Sequence, residues 1–171
     1  MPRLDAKTGK SQLDLERYLP AIVTYLANKL SSGASVCYRK HFGVGVAEWR
    51  LLALLKVEQN ITANRMSQVI GLDKAAVSRA LQSLLERKAV TYQKDSNDGR
   101  SVLVTLTPEG VLLHDQILDV ALQREALLLE DLEPEEINQL ITLLQKIKKR
   151  ITAVNAYEPS DNVHGSEDNS D

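Results

Sequence analysis

Cysteine, aromatic residues and long apolar runs are all scarce in this chain of 171 residues. A lone Cys37 excludes an intramolecular disulfide framework and points to a reducing compartment. With one Trp, one Phe and 4% aromatic residues, the core has to be assembled from Leu, Ile, Val and Ala. No apolar run approaches the ~20 residues of a membrane span. The polar start, Met1 to Lys10, lacks the apolar segment of a secretory signal, so a cytoplasmic address is expected. The histidines, His41, His114 and His164, are scattered, and with a single Cys they form no metal-spaced set. There is no phosphate-cradling glycine loop and no nucleophile elbow. An enzyme is therefore not expected, nor a bound cofactor or metal. What remains, 43% hydrophobic and 26% charged, is ordinary for a globular chain, and the length suits one domain plus an oligomerisation element.

A net charge of −2 argues against a generic nucleic-acid binder, but the charges are unevenly spread. The stretch 155–171 holds Glu158, Asp161, Glu167, Asp168 and Asp171 and no Lys or Arg, and without those five acids the rest of the chain carries +3. Between Thr62 and Val102 lie Arg65, Lys74, Arg79, Arg87, Lys88, Lys94 and Arg100 against Asp73, Glu86, Asp95 and Asp98. An acidic tail thus masks a mildly basic middle.

Hydrophobic periodicity divides the chain into a flexible arm over 1–12, a first helix over 13–38, a middle lobe over 39–107, two C-terminal helices over 108–154, and an acidic, disordered tail over 155–171. In the first helix Leu15, Leu19, Ile22, Val23, Leu26 and Leu30 recur at helical steps, with Pro20 inside the span as a kink or restart. Phe42-Gly43-Val44-Gly45 breaks the pattern. Helices follow from Val46 to Glu58, from Thr62 to Ile70 and, after Gly71 and an Asp73 cap, from Lys74 to Lys88. Two alternating runs, Val90 to Lys94 and Ser101 to Leu106, flank Asp95-Ser96-Asn97-Asp98-Gly99, a strong hairpin signal. Thr107-Pro108-Glu109 opens a helix to about Leu129, and Pro134-Glu135-Glu136 opens the last, with Ile137, Leu140, Ile141, Leu144, Ile147 and Ile151 on one face. The fold class expected is mainly α.

A short helix, a glycine turn and a second helix make a helix-turn-helix, whose second helix enters the major groove. The apolar stripe of that helix, Ala76, Val77, Ala80, Leu81, Leu84 and Leu85, leaves Lys74, Ala75, Ser78, Arg79 and Gln82 opposite. Arg can pair with guanine, Gln with adenine, and Ser and Lys with phosphates. The hairpin makes this a winged helix. Arg100 near its tip suits a narrow minor groove, with Asp98 to orient it. Arg65, Ser67 and Lys94 complete the candidate DNA contacts. Singly, a basic helix face is usually just solvated and an Asp-Gly-Arg hairpin is usually only a turn; their contiguity is what favours DNA.

The ordered set of motifs resembles the MarR family of bacterial transcriptional regulators. It runs through Tyr38-Arg39-Lys40-His41-Phe42-Gly43, Glu48-Trp49-Arg50-Leu51-Leu52, Gly71-Leu72-Asp73-Lys74, Val77-Ser78-Arg79 with Leu81, Asp95, Asp98 and Arg100, and Leu106-Thr107-Pro108-Glu109-Gly110. Ser96 and Ala47 stand where the family commonly has Pro, and neither removes a contact group. The resemblance implies a winged helix-turn-helix lobe with a dimerisation region from the N- and C-terminal helices, and a homodimer straddling a palindromic operator on double-stranded DNA. Leu127-Leu128-Leu129 and the stripe from Ile137 to Ile151 independently carry more apolar surface than one small winged helix can cover. The alternative is an intramolecular helical cap.

The resemblance further implies a repressor released by a small aromatic or phenolic acid and controlling catabolic, efflux or stress genes. Candidate effector contacts are Asn28, Ser32, Ser35, Tyr38, Arg39, His41, Trp49 and Arg50: rings to stack on an aromatic ligand, and Arg or His to pair with its carboxylate. Each also has a plain structural reading, Trp49 as a core anchor, Arg39 and Arg50 in ion pairs with Glu48, His41 as a surface residue. The rival trigger is oxidation of Cys37, beside the cationic Arg39 and Lys40 and next to His41.

Overall fold

The computed structural model describes residues 3–4, 11–94 and 101–159. Two short strands, β1 (Arg3–Leu4) and β2 (Ser11–Gln12), pair antiparallel within the expected arm. Helix α1 spans Leu19–Phe42, later at both ends than its periodicity suggests. Pro20 explains the shift: it occupies the first turn, where its missing N–H costs nothing, and neither kinks nor restarts the helix. Then come α2 (Val46–Val57), α3 (Ala63–Ile70), α4 (Lys74–Glu86), β3 (Val90–Lys94), β4 (Val102–Leu106), α5 (Pro108–Leu128), α6 (Pro134–Lys148) and a short α7 (Ile151–Asn155). The last expected helix is thus two, parted at Lys149 and Arg150. By its internal contacts the chain divides into two units, Met1–Leu122 and Gln123–Asp171.

The first unit builds its core where five elements present apolar faces. Leu51, Leu52 and Leu55 of α2, Met66 of α3, Val77 and Leu84 of α4, Val104 of β4 and Ile117 of α5 are fully buried. Full burial of each such side chain is worth about 1.5–3 kcal/mol before the entropy of ordering it. On α4 Ala80 and Leu81 are buried with them, and the polar residues of the helix fall on the opposite face, as the 3.6-residue period requires.

The strands pair with Val90 opposite Leu106 and Lys94 opposite Val102. A third backbone segment joins them, because the Val104 N–H donates to the Ile61 carbonyl at 2.9 Å. This pins the start of α3 to the hairpin. Asn60 just before it takes a left-handed conformation (φ 58°), and its Oδ1 accepts from Thr105 Oγ1 at 2.7 Å.

The hairpin is tied to α5 equally tightly. Thr107 donates its N–H to Ala89 O at 3.1 Å and its Oγ1 to Lys88 O at 2.6 Å, while that oxygen also accepts from the Gly110 N–H at 3.1 Å. A Cβ at Gly110 would lie 1.9 Å from Ala89 O, so only glycine lets the first turn of α5 come this close to the backbone after α4.

In the second unit α6 begins on a capping interaction, Glu136 Oε2 accepting from the Glu133 N–H at 3.0 Å. None of its residues is buried. Among the described residues no helix is long and apolar enough to cross a membrane.

Candidate nucleic-acid interface

Two side-chain caps and a glycine set the angle between α3 and α4. Thr62 Oγ1 accepts from the Arg65 N–H at 3.2 Å, and Asp73 Oδ1 accepts from the Ala76 N–H at 2.8 Å, each satisfying a donor that a helix start leaves unpaired. Gly71 closes α3 at φ 68°, a conformation a side chain rarely adopts. Ser67 Oγ then donates to Leu72 O at 2.6 Å and locks the turn from inside.

Held this way, α4 buries Val77, Ala80, Leu81 and Leu84 and turns Lys74, Ala75, Ser78, Arg79 and Gln82 outward, all of them exposed. Gln82 Nε2 donates to Glu86 Oε1 at 3.0 Å. Lys74, Ser78 and Arg79 have no side-chain partner among the described residues. The N-terminal half of α4 is therefore a free cationic and hydroxyl-bearing face, the chemistry a major-groove helix needs. Lys94 is exposed at the outer end of β3. Asp98 and Arg100 lie outside the described residues, as does the tail from 160 onward.

The other expected DNA contacts have structural partners. Arg65 makes a two-pronged ion pair with Glu58, Nε to Oε2 at 3.1 Å and Nη2 to Oε1 at 2.9 Å. That pair holds the Glu58 carboxyl below its ordinary range and raises the Arg65 guanidinium. Ser67 spends its hydroxyl proton on the turn.

The expected effector residues do not form one cluster. Asn28 and Ser32 are exposed along α1. Tyr38 is buried in the core, its ring 6.0 Å from that of Trp49 in an edge arrangement. Trp49 is half-buried and stacks on His114 at 5.3 Å. His41 is exposed, its ring 6.3 Å from that of Phe42. The ion pairs with Glu48 do not form. Arg50 Nη2 donates to Ser31 Oγ at 2.9 Å, Arg39 Nε to Ser35 Oγ at 3.3 Å, and Glu48 Oε2 accepts instead from the Gly45 N–H at 3.1 Å. Glu48 sits in the first turn of α2, where its carboxylate reaches back to an otherwise unpaired N–H at the helix start. Cys37 is half-buried.

Three partnerships escape sequence reading. Arg87 Nη2 donates to Gly43 O at 2.6 Å across 44 positions. His114 is buried with Nδ1 2.7 Å from Asp115 Oδ1, and Lys56 Nζ reaches the same oxygen at 3.2 Å. The hydrogen bond from His114, then that from Lys56, holds the Asp115 carboxyl below the ordinary range. His114 and Asp115 are chain neighbours, whereas Arg87 with Gly43 and Lys56 with Asp115 are brought within reach only by the packing of distant segments.

Comparison with known proteins bears on this geometry. The MarR family profile matches residues 42–101, the stretch from the end of α1 to just before β4. A MarR/EmrR family transcriptional regulator from Acinetobacter sp. ADP1 superposes with a TM-score of 0.77 at 35% identity, covering 82% of this chain and 99% of that one. An organic hydroperoxide resistance transcriptional regulator from Bacillus subtilis is 27% identical over 73 residues, 43% of this chain. The match spans 50% of that relative's own length. MepR from S. aureus, solved as a complex with DNA, has the same fold, with a TM-score of 0.69 at 19% identity and coverage of 80% of this chain and 98% of that one.

Proposed function

The chain belongs to the MarR family of DNA-binding transcription regulators, which are not enzymes, and from that premise we propose that it is a homodimeric cytoplasmic repressor released by a small aromatic or phenolic acid. The observation that carries the DNA-reading role is the outward face of α4, Lys74, Ser78 and Arg79, exposed and free of partners among the described residues. The fold it shares with a regulator solved on DNA supports the same assignment. A homodimer accounts for apolar side chains that each unit leaves in water. Leu19, Ile22, Val23, Leu26 and Leu30 of α1 are exposed, and so are Leu140, Ile141, Leu144 and Ile147 of α6. Two-fold symmetry then calls for a palindromic operator on double-stranded DNA, its half-sites one helical turn apart. Release by a ligand requires that the acid favour a dimer whose recognition helices no longer match that spacing. Asn28, Ser32, Ser35, Tyr38, Arg39, His41, Trp49 and Arg50 are the proposed effector contacts.

Oxidant sensing through Cys37 is the second assignment. It draws on a half-buried thiol and on similarity to a hydroperoxide resistance regulator.

The test is fluorescence anisotropy on the DNA upstream of the protein's own gene, with salt varied and a panel of aromatic acids added. Selective, salt-dependent binding released by one acid is the expected result. Arg79→Ala should cost about 1–3 kcal/mol of specific binding. Release by peroxide and recovery with reductant, with no response to acids, would transfer the trigger to Cys37. Equal affinity of the parent protein for genomic fragments and scrambled DNA defeats the assignment.

A further inference from the structure

One cleft, about 200 Å³ in volume, joins residues that the sequence assigns to different tasks. Its walls are Arg39 from the last turn of α1, Ala47 and Glu48 from the first turn of α2, and Ala76, Arg79 and Ala80 from α4. Two arginines therefore line one small space, one of them on the outward face of α4. Neither forms an ion pair among the described residues. Arg39 donates its Nε to Ser35 Oγ at 3.3 Å, and Arg79 has no partner there.

The single carboxylate in the lining, Glu48, has Oε2 engaged by the Gly45 N–H at 3.1 Å. Val46 and Ala47 follow, and their N–H groups, like all those of a first helical turn, lack intrahelical acceptors and add positive potential. The rest of the lining is three alanines, whose side chains offer no group that competes for an anion. A Cβ at Gly45 would come within 3.2 Å of Arg39 Nε and Nη2, so the absence of a side chain there is what lets the Arg39 guanidinium lie against the start of α2.

We propose that this cleft is an oxyanion site in which Arg39 and Arg79 together hold one phosphate or carboxylate group. The proposal rests on the DNA-reading role given to α4. It adds a residue of α1 to that role and places a small acid and a DNA phosphodiester in competition for the same pair of guanidiniums. Forked donors suit either group, since both present two oxygens to parallel N–H bonds. A carboxylate lodged here would also keep a DNA phosphate from the same two guanidiniums, an effect that adds to any change in the spacing of the recognition helices.

The experiment uses the full chain and two variants, Arg39→Gln and Gly45→Ala, with thermal melting to check folding. The alanine methyl meets only the ends of two flexible side chains, so Gly45→Ala displaces the Arg39 guanidinium while leaving the backbone in place. Operator affinity is measured against salt, and the ¹⁵Nε resonances of Arg39 and Arg79 are followed during titration with benzoate and with inorganic phosphate.

If the anion is a DNA phosphate, Arg39→Gln lowers operator affinity about tenfold and flattens the salt slope by about 0.9, and Gly45→Ala does so more weakly. If it is a free acid, benzoate or phosphate shifts both Nε resonances together, and either variant abolishes the shift. Either outcome supports the site and identifies its source. Unchanged operator affinity and salt slope in folded Arg39→Gln, together with resonances that ignore both anions, overturns it. That result leaves the DNA-reading role standing, because it presupposes selective binding by the parent. Absence of selective binding by the parent would defeat that role while the benzoate and phosphate titrations still decide the cleft.

Discussion

Helices α4 and α6 are both amphipathic, yet they end in opposite situations. Every turn of α4 has an apolar residue in the core, Val77, Ala80, Leu81 and Leu84, and its polar face looks outward. In α6 no residue is buried; Leu140, Ile141, Leu144 and Ile147 stand 38–48% exposed. The same kind of pattern therefore has two meanings. In α4 it marks a helix whose cover, α2 and α3, is supplied by its own unit. In α6 it marks a face waiting for cover, and a second copy of the chain is the proposed source.

The sharpest way to break this contrast is a matched pair of truncations. Leu84→Ala should cost about 2–5 kcal/mol in urea unfolding, at any protein concentration, because it opens a cavity in a closed core. Leu144→Ala should act through concentration instead: the loss shows in sedimentation as weaker self-association, and in melting as a midpoint that depends more steeply on dilution. Equal, concentration-independent losses at both positions would mean that α6 is covered within one chain.

A smaller effect tests how firmly the first unit closes upon itself. Gly110→Ala puts a methyl into the Ala89 carbonyl, and one of the two backbones has to move. About 1–3 kcal/mol of destabilisation is expected, with faster amide exchange at Thr107 and through β3 and β4. Unaltered exchange there would show that α5 shifts freely and that the tie through Thr107 is not structural.

The smallest effect concerns acid. Asp115 is held below the ordinary carboxylate range by His114 and Lys56. A carboxyl lowered in the folded state contributes stability above its unfolded pKa and loses it as the pH falls through the folded one. Asp115 is exposed, so the contribution is modest. Asp115→Asn should make unfolding less pH-dependent on the acid side while changing α6-dependent association not at all. A change in association with pH that disappears in this variant would tie the two regions together.

Much of the lobe was legible before the structure. The Asp73 cap, the Gly71 turn, the outward Lys74, Ser78 and Arg79, and the hairpin strands all arise from interactions within a few residues of one another, and local chemistry is what a sequence displays. Pro20 was legible as a constraint but not as a position, since a proline is compatible with either a kink or a first turn. Arg65 and Ser67 stood as candidate DNA contacts on charge and polarity alone. Their partners in the fold, Glu58 and the Leu72 carbonyl, lie beyond the helix that carries them and were not legible.

The sequence by itself determined which segments become helix or hairpin, and which face of α4 is polar, because capping, periodicity and turn chemistry operate over distances of one or two turns. Only the tertiary structure decided the pairings: Arg87 on Gly43, Lys56 on Asp115, and Arg39 with Arg79 on one cleft. Those depend on where α1, α2, α4 and α5 come to rest against one another. A long flexible side chain takes whichever partner packing brings within hydrogen-bond reach, and nothing in its neighbours along the chain specifies that choice.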